Sequence, residues 1–455
     1  MNRIASRAMI VLALVVALLA GTVFFVAEYA FESSDWVMTP GSPHVYRDDR
    51  VGKGVVTDRD DVLLLDTTDG KSFNSDARIR KAFLHWVGDR EGNVQAGVLS
   101  QYGKELVGYD ALSGTYQYGD AAGQMVLSID ASIQAAALEA MGSRKGTVAV
   151  YNYKTGEILC AVSTPTFDPK DPPDVENDNT GAYEGVYVNR FLRSKYIPGS
   201  IFKIVTLAAA LECIPDIQEQ TFTCNGSIDL EGGSVTCERS HGTQSLKDAF
   251  CNSCNCAFAQ ITLQVGKERM ARYVEQFGLT NPLSFDGLTT VSGNYSVKDA
   301  CEQEFAWSGI GQYTDQVNPC AYMQFMGAIA GGGVTSQPHV VKEIKIGGRN
   351  SYLAQATESA RIMSVSTAKT LSEYMQNNVQ AKYGADNFPG MTVCAKSGTG
   401  EVGGDKRPNA MFAGFVTDTD LPLAFIVCIE EGGYGAQTCI PVLSEVLAAC
   451  DEALN

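Results

Sequence analysis

The chain has little positive charge for its size. Among its 455 residues, Lys and Arg together number 35 and Asp and Glu 52, so the formal net charge is −17 and the pI is near 4.7. A protein that binds nucleic acid usually has a basic face, so the acidic composition of this chain argues against a nucleic-acid partner. With 45% hydrophobic and 19% charged residues, the composition is typical of a globular protein, neither disordered nor wholly embedded in a membrane. The length exceeds that of one ordinary domain.

Several catalytic motifs are absent from the sequence. It has no Gly-x-Ser-x-Gly elbow, which weakens a Ser-His-Asp hydrolase as an interpretation. It has neither a His-Glu-x-x-His zinc-protease motif nor a Gly-rich phosphate loop ending in Lys-Ser or Lys-Thr. The four histidines, His44, His85, His241 and His339, are scattered, and no paired histidine motif or second Cys-x-x-Cys completes a tetrahedral site. We therefore expect no metal and no cofactor.

Long apolar runs are scarce as well, and one stands near the N-terminus. Residues 8–27 contain no charge, and roughly twenty residues in a helix of about 30 Å match the hydrocarbon layer of a membrane. Arg3 and Arg7 precede the run and Glu28 follows it. Because positive residues stay on the cytoplasmic side, we expect a single-pass anchor in the cell membrane with the catalytic part extracytoplasmic. A cleaved signal peptide is the alternative, but the run is longer than the usual signal core and residues 27–30 form an indifferent cleavage site.

The sequence has thirteen cysteines, an odd number spread from Cys160 to Cys450. In a chain of this length, such a pattern is not typical of a small domain that is held together by disulfides. Cys224 and Cys237 flank a Gly-rich turn and are the pair we expect to form a disulfide. The alternative is that the thiols remain reduced.

The chain divides into three predicted parts. Residues 1–30 form a cytoplasmic stub and the anchor, residues 31–124 form a small extended N-terminal module that is polar and rich in Gly and Asp, and residues 125–455 form the catalytic domain. In the last part Asp130 can cap a helix that ends at Gly142. Two alternating β-branched runs that meet at Lys154-Thr155-Gly156 then predict a hairpin.

The rest of the catalytic domain alternates between helices and strands. An apolar helix is predicted over residues 201–211, and helical patterns dominate to about Ala330. Strands return in TVCAKSG, AMFAGFVTDT and PLAFIVCIEE, and a C-terminal helix is expected from about Pro441. This order predicts an α+β fold in which an antiparallel sheet is flanked by helices and joined by a helical subdomain.

The first candidate catalytic group is Ser200, which lies at the start of the predicted apolar helix. A serine hydroxyl becomes a good nucleophile when a neighbouring base takes its proton. Lys203 lies one helical turn later on the same face, and burial can lower the pKa of a lysine enough for this role. A capping serine with an exposed lysine is the alternative. Ser366 and Lys369 match the same Ser-x-x-Lys pattern in a polar stretch, where we interpret them as a solvated helix face.

The second candidate is the triplet Ser253-Cys254-Asn255. A hydroxyl and an amide two residues apart can both face a cleft, where the hydroxyl relays a proton and the amide binds a substrate peptide group. The triplet is a weak signal alone, because residues 72–74 and 292–294 also match Ser-x-Asn. Cys251 and Cys254 form a Cys-x-x-Cys, but we interpret these thiols and that of Cys256 as small buried side chains.

The third candidate is Lys396-Ser397-Gly398-Thr399, within a predicted strand. Lys396 and Ser397 can attract a terminal carboxylate, while Gly398 lets an extended peptide backbone approach the strand closely. Residues 154–156 match the same Lys-Ser/Thr-Gly pattern but stand at the tip of the predicted hairpin, so we interpret them as a turn.

The order and context of the three motifs carry more information than any one of them. The chain resembles the serine acyltransferases that share Ser-x-x-Lys, Ser-x-Asn and Lys-Ser/Thr-Gly, namely penicillin-binding proteins and serine β-lactamases. The resemblance extends from about Val126 to the C-terminus and includes the runs TGEILCAVSTPTFDP, NRFLRSKYIPGSIFK and SGIGQ. Within that family the chain is most similar to class B penicillin-binding proteins, the monofunctional D,D-transpeptidases, of the short N-terminal type.

The resemblance implies a role for each motif. Ser200 would be the acylated nucleophile, Lys203 the base, Ser253 the relay and Asn255 a contact to the substrate amide. Lys396, Ser397, Gly398 and Thr399 would hold the substrate carboxylate, and the backbone N–H groups of Ser200 and Thr399 would form the oxyanion hole.

The resemblance also implies the partners. The substrates would be peptidoglycan stem peptides, β-lactams would be covalent inhibitors, and the N-terminal module could meet a lipid-carrier-using glycosyltransferase. Two alternatives remain open at this point. A D,D-carboxypeptidase or β-lactamase uses the same motifs but transfers the acyl group to water, and a non-catalytic cell-wall scaffold would not need them.

Overall fold

The structure is a computed structural model that describes residues 2–37, 54–67, 72–94, 97–102, 109–110, 115–116, 123–346, 349–418 and 420–454. The helices are α1 (Asn2–Val37), α2 (Ala77–Val87), α3 (Gly97–Gln101), α4 (Ala131–Met141), α5 (Arg190–Arg193), α6 (Lys203–Cys213), α7 (Leu246–Cys251), α8 (Asn255–Val265), α9 (Lys267–Gln276), α10 (Glu302–Ser308), α11 (Pro319–Ala330), α12 (Val365–Asn378) and α13 (Gly435–Leu454). The strands are β1 (Gly54–Thr57), β2 (Leu63–Asp66), β3 (Ser72–Phe73), β4 (Tyr109–Asp110), β5 (Thr115–Tyr116), β6 (Gly123–Leu127), β7 (Gly146–Asn152), β8 (Ile158–Thr164), β9 (Thr221–Cys224), β10 (Ser227–Leu230), β11 (Gly233–Thr236), β12 (Gly242–Ser245), β13 (Ser284–Phe285), β14 (Leu288–Thr289), β15 (Val341–Ile346), β16 (Arg349–Leu353), β17 (Val393–Gly400), β18 (Asn409–Val416) and β19 (Leu423–Ile429).

A five-stranded sheet forms the centre of the catalytic part. Its order is β17-β18-β19-β7-β8, and every neighbouring pair is antiparallel. The sheet joins strands that are far apart in the chain, as the sequence predicts. The hairpin of β7 and β8 closes at the predicted turn, and both strands are buried along nearly their whole length.

Both faces of this sheet are covered, which explains the burial. Along β18, Met411 and Ala413 face one core, while Phe412 faces the other. The first core lies under α6, α8 and α11, and the second lies under α4 and α13. Side chains of a strand alternate between faces, so in β17 Ala395 points to the α4–α13 side and Lys396 points to the side of α6.

A second sheet has the order β16-β15-β6-β1-β2-β3. Its β1–β6 pair is parallel and its other pairs are antiparallel. Nearby, α2 packs on the domain through the Trp86 indole N–H, which donates to the Ala161 carbonyl at 2.8 Å, and through an ion pair of Arg80 with Asp168. The predicted division at residue 124 stays a prediction, and part of the predicted N-terminal module lies outside the described residues.

The N-terminal helix α1 contains the predicted apolar run. The most apolar stretch of eighteen residues within positions 4–29 has a mean hydropathy of 2.9, and none of that stretch is buried against the rest of the chain. Among the described residues it is the one helix that is long and apolar enough to cross a membrane. The helix is therefore a candidate span.

Two local predictions have different outcomes. The Asp130 carboxylate accepts from the backbone N–H groups of Ser132 and Ile133 and caps α4, which ends before Gly142, so that prediction is confirmed. The C-terminal helix, by contrast, begins at Gly435 and not near Pro441. Proline favours the first turn of a helix, but here residues upstream of Pro441 already form a helix, and the proline lies inside it.

Candidate active site

A tight turn presents Ser200 to a cleft. Residues Gly199–Phe202 form a 3₁₀ turn that leads directly into α6. Gly199 has a φ of 52°, and a Cβ on it would lie 2.2 Å from the Thr399 carbonyl oxygen. The Gly199 N–H donates to the Gly311 carbonyl at 2.9 Å. Only glycine allows this turn to lie so close to β17.

Lys203 is fully buried behind this turn. Its Nζ donates to the Ser200 Oγ at 3.1 Å, which places an amine beside the candidate nucleophile. The same Nζ lies 2.7 Å from the Asn255 Oδ1 and 5.7 Å from the centre of the Phe258 ring. Burial, reinforced by the charge of Lys396, lowers the pKa of Lys203 to about 7, because an apolar surrounding penalises the ammonium form.

Ser253 connects the two buried lysines. Its hydroxyl accepts from the Lys203 Nζ at 3.1 Å and from the Lys396 Nζ at 3.1 Å. Ser253 has a left-handed φ of 52° in the turn between α7 and α8, a conformation that costs free energy for a residue other than glycine. This turn also directs the Ser253 carbonyl at the Lys203 Nζ, 2.6 Å away.

Lys396 reaches the same point from the sheet. It is buried on β17, and burial lowers its pKa to about 7. In the same strand a Cβ on Gly398 would lie 2.5 Å from the Pro198 carbonyl oxygen, so the strand and the Ser200 turn touch through backbone atoms. Among the described strands β17 is an edge of its sheet, and an edge strand can pair with an added peptide.

The candidate residues line one cleft of about 830 Å³. All the predicted site residues except the two buried lysines line this cleft. The lining residues among them are Ser200, Ser253, Asn255, Ser397, Gly398 and Thr399. Three segments distant along the chain thus meet around the Ser200 hydroxyl, as the motif order predicts.

Some residues of the site were not predicted from the sequence. The Tyr383 hydroxyl lies 3.0 Å from the Ser397 Oγ and accepts from the Ser397 N–H at 3.0 Å, and burial raises the pKa of Tyr383. Gln312, whose Nε2 donates to the Thr399 carbonyl at 3.2 Å, follows the SGIG run and could have been found from it. Trp307 and Tyr434 line the cleft without any motif to mark them.

The second Ser-x-x-Lys segment and the second Lys-Ser/Thr-Gly segment lie away from this cleft. Lys369 and Ser366 are exposed in the first turns of α12, and the Lys369 Nζ is 4.0 Å from the Glu373 carboxylate, with the lysine side chain 74% exposed. Lys154 is exposed in the turn between β7 and β8.

The expected Cys224–Cys237 disulfide is wrong. All thirteen cysteines, which lie in the described part of the chain, are free thiols. The Sγ atoms of Cys224 and Cys237 instead lie 3.6 and 3.5 Å from the same atom, the His241 Nδ1. Cys254, the middle residue of the second motif, joins them, because one donor atom from each of these four side chains lies within 4.8 Å of the others. No spacing along the sequence predicted this cluster.

Comparison with known proteins gives the family. Residues 146–448 match the penicillin-binding protein transpeptidase domain. The chain is similar to the peptidoglycan D,D-transpeptidase PbpA of Mycobacterium tuberculosis, at 29% identity over 338 residues that cover 68% of each chain. It is also similar to the stage V sporulation protein D of Bacillus subtilis, at 27% identity over 71% of this chain and 52% of that protein.

Solved structures agree with the sequence comparison. The D,D-transpeptidase domain of a peptidoglycan glycosyltransferase from Eggerthella lenta superposes with a TM-score of 0.77 at 25% identity, over 89% of this chain and 99% of that one. Penicillin-binding protein A of M. tuberculosis superposes with a TM-score of 0.76 at 25% identity, over 88% of this chain and 100% of that one. The resemblance seen in the motifs is confirmed: this chain belongs to the penicillin-binding protein transpeptidase family, among the class B members.

Proposed function

We propose that the chain is a peptidoglycan D,D-transpeptidase that crosslinks stem peptides through an acyl-enzyme on Ser200. The observation that carries the proposal is the hydrogen-bonded series from the Ser200 Oγ through the Lys203 Nζ and the Ser253 Oγ to the Lys396 Nζ. A hydroxyl in a cleft, next to a buried amine of lowered pKa, is the arrangement that nucleophilic catalysis by serine requires.

Acylation begins with attack of the Ser200 Oγ on the carbonyl carbon between the two terminal D-alanines. The neutral Lys203 Nζ, 3.1 Å away, accepts the hydroxyl proton. The Ser253 hydroxyl then relays a proton to the departing amine, and D-alanine leaves. The backbone N–H groups of Ser200 and Thr399 serve as the oxyanion hole, where each donor contributes about 3 kcal/mol.

The strand β17 holds the donor peptide. Its edge position supports pairing with an extended peptide backbone. Lys396, Ser397 and Thr399 bind the terminal carboxylate, and the absent side chain of Gly398 keeps the strand close to the nucleophile. The Asn255 side chain, which lines the cleft, contacts the substrate amide.

An amine from a second stem peptide completes the reaction. It attacks the Ser200 ester, and the Lys203 amine takes its proton and delivers it to the departing Ser200 Oγ, 3.1 Å away, so the crosslink forms and both the serine hydroxyl and the neutral amine are restored. A β-lactam enters the same route as a donor and leaves an ester on Ser200. Transfer to water would instead make the chain a D,D-carboxypeptidase or a β-lactamase; the name of the M. tuberculosis relative PbpA favours the transpeptidase.

We further infer that this chemistry takes place at the membrane. The candidate span over residues 4–29 anchors the protein in the cell membrane once, with the cleft extracytoplasmic, because Arg3 and Arg7 favour the cytoplasmic side. Residues 31–124 form the N-terminal module ahead of the catalytic domain, residues 125–455, and the module is a docking place for a lipid-carrier-using glycosyltransferase.

Covalent labelling with a fluorescent penicillin tests the proposal. We expect the wild type to be labelled on a denaturing gel, Ser200→Ala to remain unlabelled, and Ser366→Ala, the matched variant in the exposed pattern, to label like the wild type. Label retained in Ser200→Ala, or lost in Ser366→Ala, would contradict the assignment of the nucleophile. Analysis of muropeptides made from a pentapeptide substrate then separates crosslinking from trimming: trimmed monomers alone would contradict the transpeptidase.

A further inference from the structure

The wall of the cleft contains a compact group of three thiols and one imidazole. Cys224 ends β9, Cys237 follows β11, His241 precedes β12, and Cys254 precedes α8. One donor atom from each lies within 4.8 Å of every other. We call these four residues the thiol–imidazole cluster.

The backbone brings the cluster together independently of any contact between the donor atoms. The Cys237 N–H donates to the Gly226 carbonyl at 2.9 Å, and the His241 N–H donates to the Cys224 carbonyl at 3.1 Å. The antiparallel pair of β9 and β12 aligns Cys224 with Gly242, next to His241. The three ligands from the β9–β12 region are therefore positioned by main-chain hydrogen bonds, and Cys254 is brought to them by the turn before α8.

Two of the distances between donor atoms match a tetrahedral ion. Zn–S bonds of about 2.3 Å and Zn–N bonds of about 2.0–2.1 Å require S···N edges of about 3.6 Å in a tetrahedron. The two Sγ···Nδ1 distances are 3.6 Å for Cys224 and 3.5 Å for Cys237. Three sulfurs and one nitrogen are a ligand set that suits Zn²⁺.

We propose that Cys224, Cys237, His241 and Cys254 bind one structural zinc ion in the wall of the catalytic cleft. All four positions around the ion are filled by the protein, as in structural and not catalytic zinc sites. The Ala257 N–H donates to the Cys254 Sγ at 3.5 Å, which is the kind of outer contact that orients a thiolate ligand. Each thiol gives up its proton when it binds the metal.

The ion would hold the second motif in place. Cys254 lies between Ser253, whose hydroxyl contacts both lysines, and Asn255, whose Nδ2 donates to the Thr236 carbonyl at 2.8 Å. A bond from Cys254 to an ion shared with Cys237 would fix the left-handed turn at Ser253 against the strand region. The ligands are thus positioning residues for the proposed acylation, while metal binding itself does not depend on that function.

Metal content of the purified full-length protein tests the site directly. We expect about one zinc per chain by elemental analysis, no comparable iron or copper, and a fall below about 0.2 per chain in Cys237→Ser and His241→Ala. Cys251→Ser is the matched control, because Cys251 completes the Cys-x-x-Cys with Cys254 but is outside the cluster; it should keep its zinc. Absence of zinc from the wild type, a different metal, a disulfide between two cluster thiols, or retention of zinc in both ligand variants would each overturn the proposal.

Three further measurements distinguish a wrongly assigned metal site from misfolding of a variant and from a wrong proposed function. The folded wild type, stripped of metal and reloaded with Co²⁺, should show the visible absorption of tetrahedral thiolate-bound cobalt; an octahedral spectrum without thiolate bands would overturn the site. Ser200→Ala should keep its zinc although it cannot be acylated. In His241→Ala we expect penicillin acylation to slow by about 10-fold or more; an unchanged rate would overturn the positioning role.

Discussion

Two segments of the chain carry the same Ser-x-x-Lys pattern, residues 200–203 and residues 366–369. Both serines stand near the start of a helix, so the local geometry is similar. Lys203 is fully buried, whereas the Lys369 side chain is 74% exposed. Lys203 contacts groups about fifty positions away in the chain, while Lys369 faces Glu373 one turn along its own helix.

The difference shows that the Ser-x-x-Lys pattern alone does not give reactivity. A spacing of three residues puts a hydroxyl and an amine on the same helix face in either segment. Only burial among distant residues changes the acidity of the lysine, because the surrounding water that favours the ammonium form is removed. The two segments can therefore be compared by substituting their lysines, by titrating Lys203, and by displacing the strand that packs against the Ser200 turn.

The largest effect is expected from removing the two lysines in turn. Lys203→Ala should slow acylation by a β-lactam by about 100- to 10,000-fold, the usual contribution of general acid–base catalysis. Lys369→Ala should leave the rate unchanged and change stability by less than about 0.5 kcal/mol, because an exposed pair with Glu373 contributes little. Stopped-flow acylation rates, with thermal unfolding to verify folding, measure both. Equal acylation rates in the two variants would show that the buried lysine is no more important for the reaction than the exposed one.

The pH dependence of acylation sharpens the comparison next. The pKa of Lys203 is lowered to about 7 by burial and by Lys396, while Cys237, Cys254 and Glu238 act in the opposite direction. Because the base must be neutral, the acylation rate should rise with pH, about tenfold per unit below pH 7, and level off above it. A rate–pH profile from pH 5 to 10 measures this. A rise that continues to about pH 10, as for an exposed lysine, would contradict the assignment.

The sequence predicted the motifs of the site better than their surroundings. The roles of Ser200, Ser253 and Lys396 could be proposed because each stands in a short pattern beside a helix or strand. Tyr383 and the cluster around His241 could not, because their contacts depend on how distant segments pack and no local spacing records this. The fold class and the Asp130 cap followed from periodicity and capping chemistry, whereas the start of α13 did not, since the proline signal at Pro441 was a false boundary.

A smaller effect is expected from the glycines of the two Lys-Ser/Thr-Gly segments. Gly398→Ala should slow acylation about 10-fold, because its Cβ would meet the Pro198 carbonyl oxygen at 2.5 Å and push β17 away from the Ser200 turn. Gly156→Ala should lower stability by about 1–3 kcal/mol, since Gly156 has a φ of 89°, and should leave acylation by the folded protein unchanged. Urea unfolding and acylation rates, measured on both variants, distinguish a loss of stability from a loss of acylation. If folded Gly156→Ala lost acylation, the turn between β7 and β8 would be part of the active site.

The smallest effect is expected at Tyr383, a residue that no motif marks. Tyr383→Phe removes the hydroxyl that accepts from the Ser397 N–H and contacts the Ser397 Oγ, and a lost hydrogen bond of this kind costs about 0.5–1.5 kcal/mol. If Tyr383 positions Ser397 for the carboxylate, the half-saturating β-lactam concentration should rise about 2- to 10-fold while the limiting acylation rate stays the same. Saturation kinetics distinguish these two quantities. A fall in the limiting rate with unchanged half-saturation would instead place Tyr383 in the proton-transfer series. The buried Ser-x-x-Lys segment would then differ from the exposed one also by the Tyr383 hydroxyl, a group that no spacing in the sequence reveals.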